Sequence, residues 1–143
     1  MIVVPFIKEH LDGFEPHEYH PDMTNQMQDA LSSAVVSQLA WTGIVDGKVM
    51  IIAGIQPITN SRDYAWSMLS KDSGKHMLSI VRELKEFLNS YSAPRLEMLV
   101  LHRFEQGHKM AKMLGFHNET PSGMINYSDD GETYSLYAKV RHG

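Results

Sequence analysis

The stretch from Asp63 to Leu101 limits what this chain can fold into more than any other. An aromatic strand pattern, Asp63-Tyr64-Ala65-Trp66-Ser67-Met68-Leu69, runs into the polar junction Ser70-Lys71-Asp72-Ser73-Gly74-Lys75-His76. An amphipathic helix follows from about Gly74 to Asn89. Its stripe is Met77, Ile80, Val81, Leu84, Phe87 and Leu88, while Lys75, Arg82, Glu83, Lys85 and Glu86 fall on the water side. After Ser90-Tyr91-Ser92-Ala93-Pro94, the run Leu96 to Leu101 reads as a buried strand whose one ionisable member is Glu97. Strand, helix and strand with such short connections form a right-handed βαβ unit, so the sheet is expected to contain a central parallel pair.

The junction itself opens a helix, where backbone N–H groups lack intrahelical acceptors and an anion can bind. Its other reading is a capped turn with Asp72 or Ser73 as N-cap. Both stay open on the residues alone.

The rest of the chain surrounds this unit with β-structure and helices. Ile2 to Ile7 reads as a strand, and Asp22 to Ala34 as a helix with Met23, Met27, Ala30, Leu31 and Ala34 on one side. Val36 to Val45 and Lys48 to Ile55 form a hairpin around Asp46-Gly47, a dipeptide suited to the positive φ angles of a type I′ turn. Phe104 to Met113 is a further helix, stopped at Gly115. Met124 to Ser128 and Thr133 to Val140 are expected to close the chain as a second hairpin, with Tyr134, Leu136, Ala138 and Val140 on one face.

At 143 residues the chain is expected to be one domain, 1–143, and 43% hydrophobic with 21% charged residues is a globular balance that argues against disorder. The absence of cysteine excludes disulfides, thiolate metal sites and a cysteine nucleophile. No run approaches a membrane span, and Met1 to Ile7 is too short for a signal sequence, so a soluble cytoplasmic protein is expected. A formal charge of -4 weighs against nucleic acid, although His102, Arg103, His108, Lys109 and Lys112 gather as a basic patch or solvated helix face.

The order of elements resembles that of the GCN5-related N-acetyltransferase (GNAT) superfamily over nearly the whole chain. The resemblance implies a mixed, mostly antiparallel α/β sheet of six to seven strands, a central parallel pair splayed into a V, and helices on both faces. Lys71-Asp72-Ser73-Gly74-Lys75-His76 matches the family's Gln/Arg-x-x-Gly-x-Gly/Ala loop, whose backbone N–H groups hold the pyrophosphate of acetyl-coenzyme A. Gly74 keeps the first glycine of that loop, and His76 stands where a small residue is usual. His108 to Phe116 resembles the family's late helix ending in Leu-Gly-Phe. There Ala111 replaces the tyrosine that protonates the departing thiolate in many members, and Phe104 replaces an asparagine that binds the pantetheine arm. Within the superfamily the chain is similar to small GNAT-like proteins of short-tailed bacteriophages, including the internal core protein of the virion. That likeness rests on Gly47 to Gly54, Trp66, Ser73 to Lys75 and the late helix without its tyrosine.

The resemblance implies direct transfer of an acetyl group from acetyl-coenzyme A to an amine of a protein or small molecule, with no metal. The alternative is a non-catalytic phage protein acting inside the virion or on a host protein; a homodimer is compatible with either. The cofactor-binding set implied is Lys71, Ser73, Gly74, Lys75 and His76 for the pyrophosphate and Phe104 for the arm. Backbone N–H groups at Ser67, Met68 and Leu69, on a strand splayed by a β-bulge, would serve the thioester oxygen. Candidate bases are Glu97, His102 and His108. Glu97 lies in an apolar strand where desolvation favours a proton-accepting carboxylate, or it faces outward as an edge residue. His108 shares a face with Phe104 and Ala111, as a base or as a hydrogen-bonded core residue. The cluster His17, Tyr19 and His20 carries ligand-type imidazoles, but Pro21 and loose spacing argue against a metal site, and the family's layout assigns it to the acceptor cleft.

Overall fold

A computed structural model of the protein describes residues 1–17, 31–32, 34 and 38–141. Seven strands form one sheet: β1 (Ile2–Pro5), β2 (Ala40–Val45), β3 (Lys48–Pro57), β4 (Arg62–Leu69), β5 (Arg95–Leu101), β6 (His117–Asn118) and β7 (Tyr134–Val140). Their order is β1-β2-β3-β4-β5-β7-β6, and every pairing is antiparallel except β4 with β5. The expected βαβ unit is therefore present. A single 3-10 turn, Gly74–His76, leads into helix α1 (Met77–Ser90), which returns the chain to β5; helix α2 (Glu105–Met113) follows.

Both helices lie on one face. Val81 and Leu88 of α1 and Met110, Ala111 and Leu114 around α2 pack with Ile55, Leu96, Val100 and Tyr137 of the sheet. The opposite face packs Ile52, Trp66 and Met68 against Phe6, Leu11, Phe14, Leu31 and Ala34. Leu31, Ser32 and Ala34 are helical, and the remainder of the expected 22–34 helix lies outside the described residues. Helices thus cover both faces, as the resemblance implies.

The first hairpin forms as expected, with Asp46 at φ 50° and Gly47 at φ 76° between the paired Val45 and Lys48. The second does not. β7 has both edges occupied, by β5 over seven residue pairs and by His117 and Asn118 on the other side. Met124 reaches it only through one bridge to Tyr134. Positive φ at Gly123, Asn126 and Gly131 keeps the intervening stretch from extending. Helices and loops cover most of both faces of β7, and Tyr137, on the face opposite to Tyr134, Leu136 and Ala138, is a fully buried core residue.

Candidate active site

The parallel pair is short. β4 and β5 are in register only at Arg62 with Arg95, Asp63 with Leu96 and Tyr64 with Glu97, after which they diverge. The two strands thereby make a V that opens toward Leu69 and Leu101. A cavity of about 510 Å³ occupies it, lined in the V by Ser67, Leu69, Leu99, Leu101 and Phe104.

Backbone polarity inside the V follows from alternation along the ladders. The Ser70 N–H donates to Met50 O at 2.8 Å, so Met68 and Trp66, two and four residues back, turn their N–H groups to β3. Ser67 and Leu69 turn theirs toward β5. Leu69 O accepts from the His17 N–H at 2.8 Å, which fixes the same orientation independently. The expectation at Met68 is therefore corrected: its N–H belongs to the β3 ladder, whereas Ser67 and Leu69 present theirs to the slot. On the facing strand the His102 N–H donates to Thr133 O at 2.9 Å, so the groups of Leu99 and Leu101 also face the V. The expected bulge in β4 is absent; the sheet's register shift lies between Gly43 and Ile44 of β2. Early loss of pairing with β5, not a bulge, makes the splay.

At the open end stands the junction. Ser73 is buried, and its N–H donates to Ser70 O; the His76 N–H donates to Ser73 O. No described residue accepts from the N–H of Gly74 or Lys75, and both residues are exposed. A Cβ built on Gly74 would meet nothing within 4 Å. His76 is half-buried as the N-cap residue of α1 and lines neither the main cavity nor the small one beside it. That small cavity, of about 10 Å³, joins the junction to the slot through Ser73, Gly74, His17, Phe104 and Gly107.

Lys71 is engaged. Its ammonium pairs with the Glu15 carboxylate at 2.8 Å, and its N–H donates to Glu15 O at 3.0 Å. The pairing and its hydrogen bond hold the Glu15 carboxyl below, and the Lys71 ammonium above, their ordinary ranges. With the bridge between Pro16 and Ser70, residues 15–17 form a strap along the open edge of β4. The strap carries the His17 ring to within 5.3 Å of Phe104. Two predicted site residues, far apart in sequence, therefore meet at the mouth; Tyr19 and His20 lie outside the described residues.

The predicted bases are placed elsewhere. Glu97 accepts from Arg62 at 2.9 Å and from Arg95 at 2.7 Å, one guanidinium on each oxygen, at the closed end of the V. A desolvated, unpaired carboxylate is not what the fold builds there. His108 Nε2 lies 2.7 Å from His102 O, an acceptor only, so that nitrogen carries the proton, and in the neutral ring Nδ1 accepts from the Tyr137 hydroxyl at 2.7 Å. His102 Nδ1 is 2.8 Å from Ser135 Oγ. Both imidazoles are tied into the wall between α2 and β7, and neither lines the cavity. Arg103 pairs with Glu132. With these three side chains engaged, the basic patch is not a continuous surface. Ala111 is fully buried and offers no proton.

Tyr64 went unrecognised as a site residue. It lines the cavity from β4, and burial, with the Tyr127 and Tyr134 phenols nearby, pushes its hydroxyl well above the ordinary phenol range. It therefore remains a hydrogen-bond donor. Tyr127, itself exposed, has its ring 5.9 Å from that of Tyr134, and both phenols lie near enough to Tyr64 to act on its hydroxyl. Alternation along β4 puts Tyr64 beside Trp66 on one face, but only the tertiary pairing of β5 with β7 brings the other two rings near. Among the described residues no three metal-ligating side chains lie together, and no helix is long and apolar enough to cross a membrane.

No protein-family model and no curated protein matches the sequence. Solved structures do. Ard1 from Thermoplasma volcanium superposes with a TM-score of 0.75 at 11% identity, covering 99% of this chain and 98% of that one. The ribosomal-protein-S18-alanine N-acetyltransferase from Escherichia coli gives 0.70 at 15%, covering 99% and 96%. A GNAT-family acetyltransferase from Bacillus cereus gives 0.67 at 10%, covering 99% and 98%. Likeness over whole chains at such low identity is a likeness of fold.

Proposed function

We propose, from the premise that the chain has the GNAT acetyltransferase fold, that it binds acetyl-coenzyme A in the V and transfers the acetyl group directly to an amine. One observation carries this reading: β4 and β5 stop pairing after Tyr64 and Glu97, and the N–H groups of Ser67, Leu69 and Leu99 face an apolar slot that leads to the N–H groups of Gly74 and Lys75, from which no described residue accepts. Buried backbone groups require partners, and an extended arm bearing amides can pair with both edges as a strand would. The pyrophosphate rests on Gly74 and Lys75 at the start of α1, with the Lys75 ammonium beside it.

The amine nitrogen attacks the thioester carbon, and the carbonyl oxygen gains charge while accepting from the Ser67 or Leu69 N–H. The C–N bond forms, the C–S bond breaks, and coenzyme A leaves as a thiolate that takes a proton from water. The proton lost by the amine passes to His17, which among the described histidines is the one lining both cavities. The acceptor class follows the neighbours named for alanine N-acetylation: a protein N-terminal amine, entering past Tyr127 and Tyr134.

A second reading has its own observation. Ala111 is buried, and Glu97 and His108 have their polar atoms engaged away from the slot, so proton transfer lacks the groups the family resemblance leads one to expect. A GNAT-fold phage protein that acts in the virion or on a host protein needs none of them. Thermal melts with acetyl-coenzyme A separate the readings: at a hundredfold excess over Kd, binding to the folded state alone adds about 2.7 kcal/mol. Stabilisation followed by acetyl transfer to an N-terminal peptide library supports the enzyme. No stabilisation at millimolar cofactor refutes it.

A further inference from the structure

The cavity does not end at the V. Beyond Ser67 and Leu69 it continues beneath α1, across β3 to β2, where Trp41, Ile51, Ala53, Ile80, Leu84 and Phe87 line it. Strand register explains the opening. Ser67 of β4 stands opposite Ala53 of β3, and Ala53 stands opposite Trp41 of β2. Ala65, Ser67 and Leu69 alternate onto the α1 side, as do Ile51, Ala53 and Ile55, and Ala53 and Ala65 pack against the Leu84 and Met77 side of that helix. Two small side chains in register, Ser67 and Ala53, thus leave a trough across the strands, with Ile51 and Leu69 as one wall and Ile55 and Ala65 as the other. The i, i+4 and i+3 spacing of Ile80, Leu84 and Phe87 puts all three on the helix face above it. The Trp41 and Phe87 rings, 4.7 Å apart, stand at its far end.

An acetyl group fills none of this. From these features we infer that the trough is an acyl-chain chamber and that the preferred donor is a medium-chain acyl-coenzyme A, hexanoyl to decanoyl. The inference rests on the thioester reading above and extends it to the identity of the acyl group. Continuity is the physical argument. A chain whose carbonyl sits at the Ser67 N–H enters the trough past the small Ser67 and Ala53 side chains, and two strand spacings, about 10 Å, separate β4 from Trp41 on β2, whose ring meets Phe87 of α1. Glu83 and Glu86 also border the cavity, so an anionic distal end is disfavoured there.

Calorimetric titration of the wild-type protein with acetyl-, butyryl-, hexanoyl-, octanoyl- and palmitoyl-coenzyme A tests this. Affinity is expected to rise about fourfold per methylene, the burial increment of one CH₂, up to the length that reaches Trp41 and then to level. Ala53→Leu fills the trough and leaves the V open. It is expected to keep acetyl-coenzyme A affinity within a factor of about two while losing the chain-length gain, and its melting temperature reports that the fold is intact. If acetyl-coenzyme A binds and longer chains bind no tighter, the chamber is refuted and the transferase reading stands. If no thioester of any length binds, both fall. If chain-length gain persists in Ala53→Leu, the chain goes elsewhere and the inference is overturned.

Discussion

Replacing Glu97 by glutamine distinguishes a structural carboxylate from a catalytic base. Glu97 is 12% exposed and accepts one guanidinium on each oxygen, from Arg62 at 42% exposure and Arg95 at 28%. Glutamine keeps the size and one acceptor but removes the charge, and its amide N–H₂ faces a donor. Removing one partner of a fully buried pair costs about 3–5 kcal/mol. Here both arginines reach water, and Arg95 retains Glu119, so the cost falls to about 1–2 kcal/mol. For a chain of this size about 3–4 °C of melting temperature accompanies each kcal/mol, giving a decrease of about 3–8 °C. A general base would behave otherwise, with turnover lower by about 10²–10⁴ and stability little changed. Urea denaturation and thermal melts measure the first quantity, and kcat at saturating thioester the second. Because Glu97 closes the last pair of the parallel ladder, some loss of cofactor affinity through a loosened apex is compatible with the structural role. A variant that melts with the wild type yet loses a hundredfold in kcat would refute it.

Three further outcomes are expected. Glu15→Gln releases Lys71 from its ion pair and should tighten acetyl-coenzyme A binding a few-fold at low salt, with the gain vanishing near 1 M salt; acetyl-pantetheine, which lacks the phosphates, should be indifferent. Gly107→Ala places a Cβ 2.7 Å from the Phe104 ring and 2.8 Å from Val100, so it should displace Phe104 at the slot mouth, destabilise by about 1–3 kcal/mol and weaken thioester binding, as titration and melts will show. Tyr91 donates to Asp63, and burial followed by that bond raises its hydroxyl from 10.0 to about 12. A raised folded-state value gives stability that is complete below pH 10 and is lost as pH rises toward 12, so Tyr91→Phe should lower stability at neutral pH and flatten the decline over that window in pH-dependent denaturation.

The site was less legible than the fold, and particular residues show why. Glu97 reads as a desolvated acid because its strand is apolar, but Arg62 lies 35 residues away and only the β4–β5 pairing brings it to the carboxylate. His108 shares a helical face with Ala111, yet what decides its role is Tyr137 on β7, 29 residues on. The family resemblance assigns His17 to the acceptor cleft and Phe104 to the pantetheine arm, and their ring contact depends on the strap along β4, which no local pattern encodes.

Local pattern determined a great deal: the turn at Asp46-Gly47, the stripe of α1, and the strand–helix–strand order that forces β4 and β5 to run parallel. These depend on backbone preference and the periodicity of burial, which neighbouring residues specify among themselves. Tertiary structure decided how soon that pair parts, which edge groups of Ser67 and Leu69 stay outside the ladder, and where the cavity runs once it leaves the V. These depend on register between distant strands. Ser67 faces Ala53 and Ala53 faces Trp41 because three strands align, and two small residues become a chamber only when they meet.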